Sequence, residues 1–439
     1  MNNPMLVNCS LENKSLDALW GDSRLKVSII TAVFPPEPVV SSLTSASLAD
    51  ELIRQKLGVT VITNLPNRPA GKLYTGYKRV LLTAEDNPRG FRLLRCFSFL
   101  SSESSLLSRW LENISFGLTS SLALLFSSRQ DVVYANTWPI FATGLTCLVC
   151  KIRSVPIVLH VKDMYPESLL TQGRLKPGQG LYKLLLLIDR WIAGQASAII
   201  VLSEGFAGGY TQVRRIAPSK VHVIPDWMDS GSVVVLGKND YRQEIGVSGD
   251  AFVLVYGGNI GVAAGVETLI DALNKVKTNR EIVLVIAGSG SQLAACRKLA
   301  AGITNVRIMF HTPWASDETS KVLAAADVLV LPTRGTQSLA SVPSKMLSYL
   351  LAARPVLAAV LPESDTARVI DKAACGWVVP PDSSDLLARK IEELAGLPEQ
   401  LLAKMGFAGR QYALQNFTAE TCLPKVIGII EKAAQESAR

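Results

Sequence analysis

A chain of 439 residues with 48% hydrophobic and 19% charged side chains is too apolar to remain disordered and long enough to bury two cores. Its net charge of +8 lies entirely in the first half, up to about residue 225, and the second half is close to neutral. Seven cysteines, an odd number scattered along the chain, exclude a disulfide framework, and no apolar run reaches the roughly 18 residues that a membrane-spanning helix needs.

In chain order, residues 1–25 read as an N-terminal extension. Glu12, Lys14 and Asp17 interrupt the apolar core that a signal peptide requires, so a cytoplasmic protein is expected. Residues 27–32 form a short apolar run of the kind buried in parallel sheets, followed by a helical pattern over 45–57 and a second strand over 59–63. Further strands are predicted at 131–134, 156–160 and 198–202, with helical patterns between them. After a polar stretch containing Gly246 and Gly249 the rhythm restarts at 252–256, 283–287, 306–310, 328–331 and 356–359. The fold class is therefore α/β, with two doubly wound Rossmann-like domains over 26–225 and 226–415 facing a cleft. A last helical pattern over 419–434, inside a C-terminal segment 416–439, is expected to return to the first domain. The ligand is expected between the two units.

Two local compositions bear on partners. Cys147-x-x-Cys150 stands alone inside an apolar helical segment, with no second pair and no nearby histidine, and reads as two small buried hydrophobes rather than a metal or redox site. Arg89, Arg92 and Arg95 precede an apolar segment with Leu106, Leu107, Trp110 and Leu111, which reads as a membrane-surface patch or, more plainly, as a solvated basic face. No nucleic-acid-binding motif accompanies the charge, so no nucleic-acid partner is expected.

The richest segment is 324–360. An apolar strand ends at Pro332, a polar loop follows, and Pro343-Ser344-Lys345 opens a helix before Arg354-Pro355 leads into another strand. A helix start at the carboxyl end of a parallel strand offers unpaired N–H groups to a phosphate. The same logic applies to Gly257-Gly258-Asn259-Ile260-Gly261 after the strand at 252–256, and Gly288-Ser289-Gly290 after the next strand reads as a close approach of backbone to the nucleotide.

Taken together, VSIITAVFPPEPVVSSLTSASLADEL, VLHVKDMYPESLL, HVIPDWMD, LVYGGNIGVAAGVETLIDAL, VIAGSGSQL and the segment from Pro332 to Val356 resemble a family 4 glycosyltransferase of the two-Rossmann, GT-B type, over roughly residues 26–435. The resemblance implies transfer of a sugar from a UDP- or GDP-sugar, with retention, to a lipid-linked saccharide precursor of a surface polysaccharide. It also implies an enzyme at the inner face of the cell membrane, with neither metal nor cofactor. A nucleotide-sugar epimerase of the same fold and a catalytically silent nucleotide-binding subunit remain alternatives.

Residue by residue, the resemblance assigns donor-sugar contact to His160 and acceptor orientation or proton removal to Asp163. Glu37, in the loop after the first strand, is a candidate acceptor contact or base. The donor diphosphate falls to Gly258, Asn259, Gly288, Gly290, Arg334, Pro343, Ser344 and Lys345, with Trp314 placed to pack a base or ribose. Asn259 and Ala264 stand where relatives carry an Arg and a Lys. The family's paired glutamates, counted back from Arg354-Pro355, correspond to Ser348 and a position near Ala340. A hydroxyl at Ser348 can bond a ribose, more weakly than a carboxylate.

Overall fold

The computed structural model describes residues 25–437 except 69–70, 102–105, 172, 177 and 341–343. Eight strands form the first sheet: β1 (Lys26–Thr31), β2 (Gly58–Asn64), β3 (Leu82–Asp86), β4 (Arg92–Cys96), β5 (Val132–Asn136), β6 (Ile157–Val161), β7 (Ala198–Val201) and β8 (Val221–Val223). Their order is β3-β4-β2-β1-β5-β6-β7-β8, parallel throughout except for the antiparallel β3–β4 pair. Six more strands form the second: β9 (Phe252–Gly257), β10 (Ile282–Ala287), β11 (Arg307–His311), β12 (Val328–Pro332), β13 (Val356–Ala359) and β14 (Gly376–Val379), in the order β11-β10-β9-β12-β13-β14. In each sheet the winding reverses beside the first strand, between β1 and β5 and between β9 and β12. These reversals open a crevice at the carboxyl ends of the strands.

The apolar runs that mark these strands have a direct cause, because helices cover both faces. On the first sheet Ile30 and Leu159 point into a core shared with helices α2 (Leu106–Phe126), α3 (Ile140–Arg153) and α4 (Gly180–Gln195). Val27 and Ile29 point the other way, against α1 (Val40–Arg54) and the last helix. On the second sheet α5 (Val266–Lys275) and α6 (Lys345–Leu351) lie on opposite sides. The last helix, α7 (Ala419–Ser437), buries Cys422, Val426 and Ile430 against the first sheet. It is tied at its start: Met228 N–H donates to the Phe417 carbonyl (3.0 Å) and Ala419 N–H to the Met228 carbonyl (2.9 Å). The chain thus crosses between sheets twice, side by side.

Sequence periodicity does not reveal the β3–β4 hairpin, because LTAED and RLLRC are short and charged. That hairpin corrects the basic patch. Arg95 is 2% exposed and donates to Glu85 (2.9 Å) and the Pro35 carbonyl (2.7 Å), while Arg89 pairs with Asp50 (2.8 Å). Neither is an unpaired surface cation. Cys147 and Cys150 are buried, and burial raises both thiols above their usual range.

Candidate active site

Loops following β6 and β7 touch loops following β12 and β13. The short helix Gln337–Ala340 lies against Glu167–Thr171, and Gly205 N–H donates to Asp365 (3.4 Å). The carboxyl ends of the two sheets therefore face each other, and the candidate residues sit there.

On the second sheet the loop after β9 is shaped by its glycines. Gly258 has φ of 143°, and a Cβ there would lie 2.2 Å from Lys345 Cε, so the lysine stem lies directly on this backbone. Gly288 and Gly290 have a packing role beside this loop. Side chains there would fall 2.0 Å from the Gly258 carbonyl oxygen and 2.3 Å from that of Ile260, so the missing atoms make room for the neighbouring loop. They brace Gly258 and Asn259.

Helix α6 is fastened to the same turn, since Gly257 N–H donates to the Tyr349 hydroxyl (2.8 Å) and the Tyr256 hydroxyl donates to the Asn259 carbonyl (2.6 Å). The Lys345 ammonium lies 5.1 Å from the centre of the Tyr256 ring, and among the described residues no carboxylate pairs with it. Burial lowers its pKa to about 8. A pocket of about 270 Å³ opens beside it, lined by Asn259, Gly261, Ala264, Thr333, Ser344 and Lys345. Ser344 is exposed at the helix start and makes no side-chain cap there. Pro343 lies outside the described residues. Arg334 is half exposed and leans 3.9 Å from Asp382, which also accepts from Gly335 N–H (2.7 Å). Trp314 packs on Gly257, and its indole N–H is buried without an acceptor among the described residues. The Ser348 hydroxyl is turned to Met228 Sδ (3.4 Å), at the crossover between the sheets.

On the first sheet the structure separates the predicted pair. His160 is wholly buried, its Nδ1 against the Tyr134 hydroxyl and its ring stacked 6.0 Å from Trp227. Burial, aided by Lys162, pushes its pKa well below the usual value, so the ring is neutral. Lys162 Nζ donates to Nε2 (3.3 Å) and to Asp226 Oδ1 (2.5 Å), which leaves the ring proton on Nδ1, facing Tyr134. In this arrangement His160 supports Lys162 from within the core. Asp163 is only partly buried, and no protein donor reaches its carboxylate among the described residues. Burial first, then Asp226, raises its pKa to about 6 against the pull of Lys162. It is the group here suited to exchange a proton near neutrality.

Glu37 is likewise enclosed. It is 1% exposed and accepts N–H groups from Phe34 (3.2 Å), Asn67 (2.9 Å) and Arg68 (2.8 Å). A carboxylate so enclosed clamps the loops after β1 and β2. Conversely, Lys162 and Asp226 escaped selection from sequence. The signals were present: Lys162 lies two residues beyond His160, and Asp226 lies three residues past the end of β8, in the crossover segment. Among the described residues no cluster of His, Cys, Asp and Glu is arranged to hold a metal.

Two opposed α/β units with facing carboxyl ends, a braced glycine loop and an unpaired lysine beneath it define a GT-B glycosyltransferase. The family model for group 1 glycosyl transferases matches residues 251–396 and that for the glycosyl transferase 4-like domain matches residues 42–227, so each sheet carries one half, and the chain belongs to this glycosyltransferase family. The probable glycosyltransferase WbjE of Pseudomonas aeruginosa is 27% identical over 345 residues, covering 78% of this chain and 85% of that protein. The putative colanic acid biosynthesis glycosyl transferase WcaI of Escherichia coli K12 is 22% identical over 420 residues, covering 92% of this chain and 100% of its own. Among solved structures, Anabaena Alr3699/HepE in complex with UDP-glucose matches with a TM-score of 0.66 at 16% identity, over 93% of this chain and 100% of that one. This last likeness is one of fold.

Proposed function

We propose that the chain transfers a sugar from a nucleoside-diphosphate donor, UDP- or GDP-linked, with retention, to a lipid-linked saccharide precursor of a surface polysaccharide. The observation that carries this reading is Lys345, a cation drawn out of water with no carboxylate beside it, at the edge of a pocket at the carboxyl ends of β9 and β12. A diphosphate would supply the missing anion, and the Gly258–Asn259 loop and Ser344 would meet its oxygens. Charge developing on the departing nucleoside diphosphate is stabilised there. Asp163, opposite, orients the acceptor hydroxyl and takes up its proton in concert with the leaving diphosphate. The polysaccharide setting is supported by the name of the WcaI relative, and the donor class by the UDP-glucose bound in the HepE structure.

The test is incubation with labelled UDP- and GDP-sugars and a bacterial lipid extract. Label should pass to the organic-extractable fraction only when extract is present, with the anomeric configuration of the donor. Epimerised donor formed without extract would replace this reading by an epimerase. Nucleotide binding with neither transfer nor hydrolysis would favour a silent subunit, a reading that the engaged Ser348 hydroxyl keeps open.

A further inference from the structure

Helix α2 carries an apolar stripe on its outer side as well as toward the core. A surface helix ordinarily turns its apolar stripe to the core and its polar stripe to water. Here the inner side is mixed, with Phe116, Ala123 and Leu124 in the core beside buried Ser108, Glu112, Asn113, Ser120 and Ser121. The outward stripe is Leu107, Leu111, Ile114, Leu118, Leu122 and Phe126, at the spacing of one helix face and from 42% to 79% exposed. Beyond Glu112 the helix has no charged residue, so about 20 Å of its outer side is uncharged and mainly apolar.

The neighbouring helices extend this surface. Gly117 brings α2 close to α3, since a Cβ there would lie 2.9 Å from Ala142 Cα, and α3 packs in turn on α4. Ile152 on α3 is 74% exposed, and Leu184, Leu187 and Trp191 form a second outward stripe on α4. A patch spread over three helices exceeds what isolated apolar side chains on a soluble surface explain. Among the described residues no helix is long and apolar enough to cross a membrane, so the layer is not a span.

Charge identifies the occupant. The two carboxylates of these three helices are buried and paired, Glu112 with Arg68 and Arg109, and Asp189 with Arg214. Lys151, Lys183 and Arg190 are exposed and have no carboxylate partner among the described residues. Among the described residues, the exposed charged side chains of these three helices are therefore basic. Hydrocarbon framed by cations matches the boundary between acyl chains and anionic headgroups.

We propose that the outer surface of α2, α3 and α4 docks the enzyme on an anionic bilayer. All three helices begin at the carboxyl edge of the first sheet, where exposed Trp138 precedes α3 and Asp163 follows β6. One end of the docking face thus adjoins the reactive crevice, which suits an acceptor held by a lipid. The proposal rests on the lipid-linked acceptor reading.

The test is vesicle co-sedimentation of the full chain without donor or acceptor, so its outcome is independent of whether sugar transfer is observed. Wild type should bind phosphatidylglycerol-containing vesicles and bind pure phosphatidylcholine more weakly. The triple variant K151Q/K183Q/R190Q should lose on the order of a hundredfold on anionic vesicles, at about 1 kcal/mol per cation, with little change on neutral ones. The pair Leu118→Glu and Leu122→Glu should lose binding to both, while UDP- or GDP-induced thermal shift stays unchanged as a check on folding. Wild-type binding to neither vesicle, or full binding by the Glu pair, overturns the proposal. A wild-type dimer that the Glu pair converts to monomer, without vesicle binding, also overturns it and assigns the face to a second copy.

Discussion

Burial draws the Lys345 ammonium down to about 8, so an incoming diphosphate restores a charge that folding disfavours. Because the unfolded chain holds this proton up to the ordinary lysine range, the cost to stability is full below pH 8 and fades as pH rises beyond it. Lys345→Met should accordingly stabilise the ligand-free protein at pH 7 by on the order of 1–3 kcal/mol, seen as a higher Tm, while losing the stabilisation that UDP or GDP confers. Nucleotide affinity of the wild type should decline above pH 8 as the free lysine deprotonates. Asp163 titrates in the opposite range: raised to about 6, it is a base only above that value, so kcat should climb through pH 6. Asp163→Asn should lower kcat by about 10²–10⁴-fold and leave donor affinity intact, which a KM-against-kcat comparison reads directly.

At the scale of elements, the braced pair of glycine loops shapes the pocket beside Lys345. Gly288 has φ of 133° and faces the Gly258 carbonyl, so Gly288→Ala meets both strain and a clash. It should cost at least about 2 kcal/mol in urea unfolding and weaken nucleotide binding through displacement of the Gly258 loop. The strands were legible in sequence where burial on both faces made them continuous apolar runs, as in β9 (FVLVYG) and β10 (IVLVIA). The hairpin strands β3 and β4 were not, because Glu85 and Arg95 neutralise each other only once the strands pair. The site divides in the same way. Lys345 was legible because a lysine opening a helix after a strand has a recognisable setting. The enclosure of His160 and Glu37 was not legible, because chain position places a residue at a strand end without showing that Tyr134, Trp227 or three backbone N–H groups surround it.

For the whole molecule, the double crossover at Met228 and Phe417 makes α7 part of the first sheet's core although it ends the chain. Removing residues 419–439 strips Cys422, Val426 and Ile430 from that core and exposes Val27 and Ile29 beneath. The truncated chain should be recovered insoluble, whereas full-length protein with Ile430→Ala should fold with a loss of roughly 2–5 kcal/mol. The contacts of Gln337–Ala340 with Glu167–Thr171, and of Gly205 with Asp365, join the two carboxyl edges across the crevice and bring the Lys345 and Asp163 sides into one site. The proposed docking face on α2 would orient that site toward lipid.

The most direct test of a diphosphate seated on Lys345 is calorimetric titration of UDP and GDP into wild type and Lys345→Ala. One of the two nucleotides should bind wild type saturably and bind Lys345→Ala at least about tenfold more weakly, as befits loss of a charge-assisted contact. Equal affinity in the two proteins, or no binding of either nucleotide to wild type, would contradict it.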